Sequence, residues 1–375
     1  MVKIIIMKTL KDIGNVEGKT ALVRVDFNVP VEDGVVKDDF RIKSALPTIE
    51  FLKKAGAKIC LIAHCESNIE GDGSSLRFAY GVLKSYTDCA FANTLKDVKD
   101  LLLTNEVVLL ENLRTNPGEK ANDEEFAKEL ASVADFYVNE AFSVCHREHA
   151  SIVSVPKFLP SYAGFQLEKE ILELSKVFNP PHPFIFILGG AKFETKFPLI
   201  NKFIDKADTL CIGGALANDI LKAQGNNVGK SLLSKTEVDL KDIFSSKKLL
   251  EIIDVVVKNN GKVETKKVDD ILDEDTIVDT GMDTVKMWEE KIRDAAYVLW
   301  NGPLGNFEAG YDKGTLALAQ AIASSDAESI VGGGDTLSAI KKLNLESGFS
   351  FISTGGGAAL NFLANETLPG IEALN

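Results

Sequence analysis

The sequence predicts an α/β protein of two domains, and three observations carry that prediction. The chain has 375 residues, more than one ordinary core accommodates. Short Val/Ile/Leu runs alternate with helix-length segments throughout, the pattern of parallel sheets covered by helices. Between the halves, FQLEKEILELSKVF sets Leu167, Ile171, Leu174 and Phe178 at helical spacing, and the prolines of NPPHP then end the helix. The expected division is a first domain over 1–163, a connector helix over 164–178, and a second domain from 179 to 355, with 356–375 as a tail.

Four strands are expected in the first half: TALVRVD (20–26), KICLIAH (58–64), EVVLLEN (106–112) and DFYVNEA (135–141). VRVDFNVP shows their character. Side chains alternate along a strand, so Val23, Val25, Phe27 and Val29 share one face while Arg24, Asp26 and Asn28 share the other. The second half offers FIFILGG (184–190), DTLCIGG (208–214), AYVLWNG (296–302), ESIVGGG (328–334) and SFISTGGG (350–357). Ligands of open α/β sheets bind beyond the carboxyl ends of the strands. In the first half those ends carry Asp26 and Asn28, His64, Glu111 with Asn112, and Asn139 with Glu140; in the second half they carry bare glycines.

Composition narrows the function classes. Hydrophobic residues at 45% and charged residues at 26% fit a globular protein with large cores. A net charge of −13 argues against nucleic-acid binding, which needs a basic surface. No apolar run approaches the roughly 18 residues of a membrane span, and a cytoplasmic location is the expectation. Cys60, Cys65, Cys89, Cys145 and Cys211 are odd in number and lack CxxC spacing, so they read as core fillers in a reducing compartment. Positive charge is unevenly placed. Of six arginines, Arg24, Arg41, Arg77, Arg114 and Arg147 fall in the first 147 residues, as do His64 and His146, with His149 close behind. Arginine forks bind carboxylate and phosphate in bidentate fashion. A pocket for a small anion is the reading that four such arginines near strand ends support.

Glycines between a strand and a helix let backbone N–H groups approach a phosphate. Gly189-Gly190, Gly213-Gly214, Gly332-Gly333-Gly334 and Gly355-Gly356-Gly357 stand at corresponding places in one half of the chain, which favours a nucleotide site over four unrelated turns. The phosphate-loop patterns are absent: there is no GxGxxG, and GNNVGKS has three residues between its glycines instead of four. Lys192 and Lys196 follow the first glycine pair one helical turn apart, as phosphate contacts or as solvated lysines. Asp335 after the glycine triplet fits a Mg²⁺ ligand, and Asp335 or Thr336 equally fits a helix N-cap. Glu308 in WNGPLGNFE is placed to accept ribose hydroxyls or to sit in an ordinary loop.

In order along essentially the whole chain, VRVDFNVP, DDFRIKSALPTI, the His of IAHCESN, ENLR, NEAFSVCHREHAS, ILGGAKFETK, CIGGALAN, VLWNGPLGNFE, VGGGDT and STGGGAAL resemble the phosphoglycerate kinase family. The resemblance implies two Rossmann-like domains, each a parallel sheet flanked by helices, joined by the connector helix across a hinged cleft, with the tail returning towards the N-terminal domain. It also implies reversible phosphoryl transfer from 1,3-bisphosphoglycerate to Mg-ADP, giving 3-phosphoglycerate and Mg-ATP, in a monomer. By that likeness Arg24, Asp26, Asn28, Arg41, His64, Arg114 and Arg147 hold the glycerate substrate. Arg41, Lys192, Gly334 and Gly357 act on the transferring group. Lys196, Gly213, Gly214, Asn301, Glu308, Gly333, Gly334, Asp335 and Thr336 hold the nucleotide, and Asp335 takes the metal.

Several stretches depart from the family pattern. Where Leu-Gly-Arg-Pro is expected after His64, the chain has Cys65, Glu66, Ser67 and Asn68, which removes one basic residue and adds an acid. Loss of one such contact corresponds to about ten- to a hundredfold weaker substrate binding. The segment 140–145 reads EAFSVC where DAFGTA is usual, Met282 replaces a proline, and the family start matches Met7 onward. These changes keep an alternative in view, a non-catalytic nucleotide-binding relative serving as a sensor or interaction module.

Overall fold

The computed structural model describes residues 7–32, 34–66, 75–191, 193–235 and 240–375. The chain forms two compact units: one takes the chain up to Leu172 together with Asn365–Asn375, the other Glu173–Ala364.

The first unit runs β1 (Thr20–Arg24), β2 (Val31–Glu32), β3 (Val35–Val36), α1 (Phe40–Lys54), β4 (Lys58–Ile62), α2 (Arg77–Leu83), β5 (Ala90–Ala92), α3 (Leu95–Leu101), β6 (Val107–Leu110), α4 (Pro117–Ala121), α5 (Glu124–Ala131), β7 (Phe136–Asn139) and β8 (Ser161–Ala163), then enters α6 (Phe165–Ser175). Its main sheet has the order β5-β6-β4-β1-β7-β8 and is parallel throughout. The four expected strands form its centre. β5 and β8, three residues each, extend its two sides and were not foreseen. At the start of α5 a side chain satisfies an orphan N–H group: Asp123 accepts from the Phe126 amide at 2.7 Å, and Phe126, Ala127, Leu130 and Ala131 of that helix are buried. Val23, Val25, Phe27 and Val29 enter the core of this unit, as the alternation predicts.

In the second unit follow β9 (Phe184–Leu188), α7 (Phe193–Phe203), β10 (Thr209–Ile212), α8 (Ala215–Ala223), α9 (Lys241–Ser245), β11 (Asp254–Asn259), β12 (Lys262–Lys267), β13 (Thr276–Thr280), α10 (Met282–Arg293), β14 (Tyr297–Asn301), α11 (Lys313–Ala323), β15 (Glu328–Gly332), α12 (Gly334–Lys342), β16 (Phe351–Ile352) and α13 (Gly357–Asn365). The five expected strands make one parallel sheet, β10-β9-β14-β15-β16. A second, antiparallel sheet, β12-β11-β13, adds to the purely parallel expectation. Met282 opens α10, where proline is favoured because the first-turn amides have no helical partner. Here buried Asp254 accepts from the Asp283 and Thr284 amides at 3.2 and 2.8 Å, so the helix start is held without proline. The chain closes with α14 (Pro369–Glu372), where the Gly370 amide donates to the Cys145 carbonyl at 2.8 Å within the first unit.

In each parallel sheet the chain reverses its direction of strand addition beside the first strand laid down, β1 or β9. Such switch points open a crevice at the carboxyl ends of the strands. At β1, Arg24 is in register with Ile62 of β4 and Asn139 of β7. At β9, Leu188 is in register with Asn301 of β14, which in turn pairs with Gly332.

Candidate active site

The switch point of the first unit holds a basic pocket assembled by hydrogen bonds. Arg24 is fully buried: its Nε donates to Ser151 Oγ at 2.9 Å, its Nη1 to the Val25 carbonyl at 2.5 Å, and its Nη2 contacts His64 Nδ1 at 2.9 Å. Ser151 Oγ donates onward to Glu119 Oε1 at 2.7 Å, and the Ser151 amide donates to Glu119 Oε2 at 3.0 Å. Glu119 is itself wholly buried. A guanidinium only donates, so Nδ1 of His64 is the acceptor and the proton of the neutral ring sits on Nε2. That Nε2 is buried without a partner among the described residues. Burial, then the positive charges of Arg24, Arg114 and Arg147, push the His64 pKa far down and keep the ring neutral. His149 is lowered to about 4 by burial and the same arginines, and His146 is lowered by burial and Arg147.

Asp26 and Asn28 join Arg41. Its Nη1 lies 2.8 Å from Asp26 Oδ2 and donates to the Asn28 carbonyl at 2.9 Å; Ser143 Oγ also donates to Asp26 Oδ2. Arg114 and Arg147 converge on one carboxylate, with Glu66 Oε1 at 3.2 Å from Arg114 Nη2 and 2.6 Å from Arg147 Nη1. Nε and Nη1 of Arg114 are buried without partners among the described residues. Unpaired buried donors are rare in folded proteins and mark a missing ligand or a functional strain. Not every expected strand-end residue faces this pocket. Glu111 accepts from the Leu76 and Asn112 amides at 2.8 and 2.7 Å, Asn112 holds the Cys65 backbone at both its N–H and its carbonyl, and Asn139 accepts from the Ala141 amide at 3.0 Å. These fix loops. Ser67 and Asn68 lie outside the described residues.

In the second unit the glycines divide into two kinds. Gly189-Gly190 and Gly213-Gly214 serve backbone packing: a Cβ on Gly189 would stand 2.2 Å from the Pro303 carbonyl oxygen, and one on Gly214, at φ +62°, would stand 2.4 Å from the Gly190 nitrogen. Their amides are already used, Gly190 donating to Pro303 at 2.8 Å and Gly214 to Leu304 at 3.1 Å. Each of the other two groups has one open member. Gly334 and Gly356 have nothing within 4 Å of a Cβ position, and they stand at the starts of α12 and α13. Gly333, at φ +107°, is the N-cap of α12, and no side chain caps that helix, which sets aside the N-cap reading of Asp335 and Thr336. Asp335 is half-buried in the first turn, and its carboxylate has no partner among the described residues. Thr336 is buried with its hydroxyl accepting from the Gly302 amide at 3.0 Å, so it ties the β14 loop to α12.

Lys196 lies buried in the first turn of α7, its Nζ donating to the Gly189 carbonyl beneath the glycine cluster. Gly190 and Gly302 flank that nitrogen at φ +90° and +93°, a backbone conformation that favours glycine. Asn301 is buried against Gly332 and Gly333. Glu308 is exposed on a single turn, Phe307–Ala309, and Gly357 begins α13. Lys192 lies outside the described residues. Sequence reasoning missed Glu119 of the five-residue α4, Ser151 and Ser143, polar residues with no periodic signal; only their hydrogen bonds around Arg24 and Asp26 reveal them.

Comparison with known proteins gives a single answer. The family model described as phosphoglycerate kinase matches residues 10–366. A phosphoglycerate kinase of Pseudothermotoga lettingae is 41% identical over 389 residues, covering 98% of both chains, and one of Finegoldia magna is 40% identical, covering 98% of this chain and 99% of that one. Among solved structures, phosphoglycerate kinase from Coxiella burnetii has a TM-score of 0.85 at 35% identity, covering 98% of this chain and 99% of that one.

Proposed function

The chain belongs to the phosphoglycerate kinase family, and on that premise we propose how its residues divide the work of moving a phosphoryl group between 1,3-bisphosphoglycerate and ADP. The observation that carries the proposal is the pair of switch points: one gathers Arg24, Arg114, Arg147 and His64, with donors of Arg114 and His64 buried and unpaired among the described residues, and the other has Gly334 and Gly356 open at two helix starts. Arg24, His64, Arg114 and Arg147 hold the phosphate and carboxylate of the glycerate substrate, His64 donating from Nε2. Asp26 and Asn28 take its hydroxyl end.

Lys196 and the amides at Gly333, Gly334 and Asp335 hold the nucleotide phosphates, whose negative charge suits a helix N-terminus. Glu308 meets the ribose, and Asn301 with the Gly213-Gly214 turn lines the pocket. The Asp335 carboxylate, unpaired among the described residues, fits Mg²⁺, which takes one or two carboxylates and completes its shell with phosphate and water. When bound, the ion neutralises phosphate charge. In the forward step an oxygen of the ADP β-phosphate forms a bond to the acyl-phosphate phosphorus while the bond to the carboxylate oxygen breaks, leaving 3-phosphoglycerate and ATP. No proton moves, so no general base is needed. Arg41 and Lys192, with the Gly334 and Gly357 backbone, stabilise the charge on the transferring group. Both ligands must meet for transfer, and the proposal includes hinge motion about α6. A cytoplasmic monomer completes the reading; the five buried free cysteines support a reducing compartment.

The division predicts separable losses. Arg114→Ala raises the KM for 3-phosphoglycerate by about ten- to a hundredfold, the worth of one charge-assisted contact, and leaves the Kd for ADP unchanged. Asp335→Asn weakens Mg-ADP and leaves 3-phosphoglycerate binding unchanged. Calorimetric titration of each variant with each ligand checks both, and a crossed pattern refutes the division.

A further inference from the structure

Glu66 stands where the family pattern has glycine, and it is the carboxylate on which Arg114 and Arg147 converge. Its backbone is anchored on both sides of the pocket. The Glu66 amide donates to Asn28 Oδ1 at 3.2 Å, and the preceding Cys65 is clamped by Asn112, its amide donating to Oδ1 at 3.2 Å and its carbonyl accepting from Nδ2 at 3.1 Å. The carboxylate is thereby delivered to the arginines by a fixed loop start. Its side chain stays half exposed, with room to leave, while the Arg114 side chain is nine-tenths buried and keeps two further donors unpaired among the described residues.

We propose that Glu66 is an internal counter-anion of the glycerate pocket, occupying the Arg114–Arg147 pair until the anionic group of an incoming substrate displaces it. This rests on the assignment of that pocket to the phosphoglycerate substrate. A protein whose binding-competent state is partly populated shows an apparent Kd equal to the intrinsic value divided by the open fraction. Every anion that needs the two arginines is weakened by one common factor, and ligands of the second unit are not weakened at all. The acid compensates the charge left unopposed in a pocket that is otherwise rich in buried guanidinium groups. It also sets a lower substrate affinity than the arginines alone would give.

The test uses the full chain, wild type beside Glu66→Gln and Glu66→Ala. Glu66 is exposed enough for both variants to fold. Titration with 3-phosphoglycerate, with inorganic sulfate and with ADP, and steady-state KM and kcat, are measured at low ionic strength. The expected result is that 3-phosphoglycerate and sulfate both bind about tenfold more tightly to each variant, the worth of one charge-assisted contact. KM for 3-phosphoglycerate falls by a similar factor, kcat stays within about twofold, and ADP affinity does not move. Unchanged or weaker binding of the two anions, or tightening of only one of them, overturns the proposal. Failure of the underlying assignment looks different: wild type would then not bind 3-phosphoglycerate, while sulfate would still report on Glu66.

Discussion

Arg24 owes its position to Ser151 and Glu119, and the consequence reaches His64. Burying a guanidinium is tolerable only when its charge is opposed and its donors are paired. Glu119 supplies the charge and Ser151 links the two, accepting from Arg24 and donating to Glu119. Ser151→Ala strands both partners and is expected to destabilise the first unit by about 1–3 kcal/mol. Because Arg24 then loses its fixed orientation, the tautomer of His64 loosens too, and the KM for 3-phosphoglycerate rises with kcat little changed. Denaturant unfolding and steady-state kinetics check the two effects. At this scale VRVDFNVP was readable: period-two alternation sorted Arg24, Asp26 and Asn28 from the apolar set. The Glu119–Ser151 support was not, because nothing in a segment as short as NPGEKAN, which folds as α4 with its caps, shows that its glutamate is buried and linked to an arginine.

At the scale of elements, the start of α6 is built on Glu140. Its Oε1 accepts from the Gln166 amide at 3.0 Å, and a Cβ on Gly164 would stand 1.6 Å from Oε2 and 2.7 Å from the carboxyl carbon. Gly164→Ala is therefore expected to destabilise the first unit by about 1–3 kcal/mol through overpacking, read as a lower denaturant midpoint. Burial raises the Glu140 pKa from 4.5 to about 8, against a smaller lowering by the Gln166 amide. The folded state thus keeps a proton that the unfolded chain has lost, and stability falls as pH rises between those two values, by up to about 1.4 kcal/mol per pH unit. Glu140→Gln removes that slope: its stability relative to wild type should grow from pH 5 to pH 8, and parallel pH profiles would contradict the assignment. Strands rich in Val, Ile and Leu with clear turn signals were legible. β5 and β8 are too short to set a period. The β11–β12 hairpin had a signal that went unused, Asn260-Gly261 between alternating segments, with both residues at positive φ.

For the whole molecule, the sequence pointed to both proposed binding regions through strand ends, where residue type and position are coupled by the parallel sheet. Four glycine groups look alike in sequence, yet Gly189-Gly190 and Gly213-Gly214 are glycine because backbone meets backbone, while Gly334 and Gly356 face open space. Only packing separates those causes. The central proposal, that the arginine cluster holds the glycerate substrate and the open glycine helix starts hold the nucleotide during phosphoryl transfer, is tested most directly by ATP formation from 1,3-bisphosphoglycerate and Mg-ADP in a coupled assay. Wild type is run beside Arg41→Ala and Lys192→Ala. Turnover by wild type with a fall in kcat of about a hundredfold or more in each variant, as removal of a transition-state charge contact demands, is the predicted result. A wild type that binds Mg-ADP without turning over, or variants that keep full kcat, would contradict it.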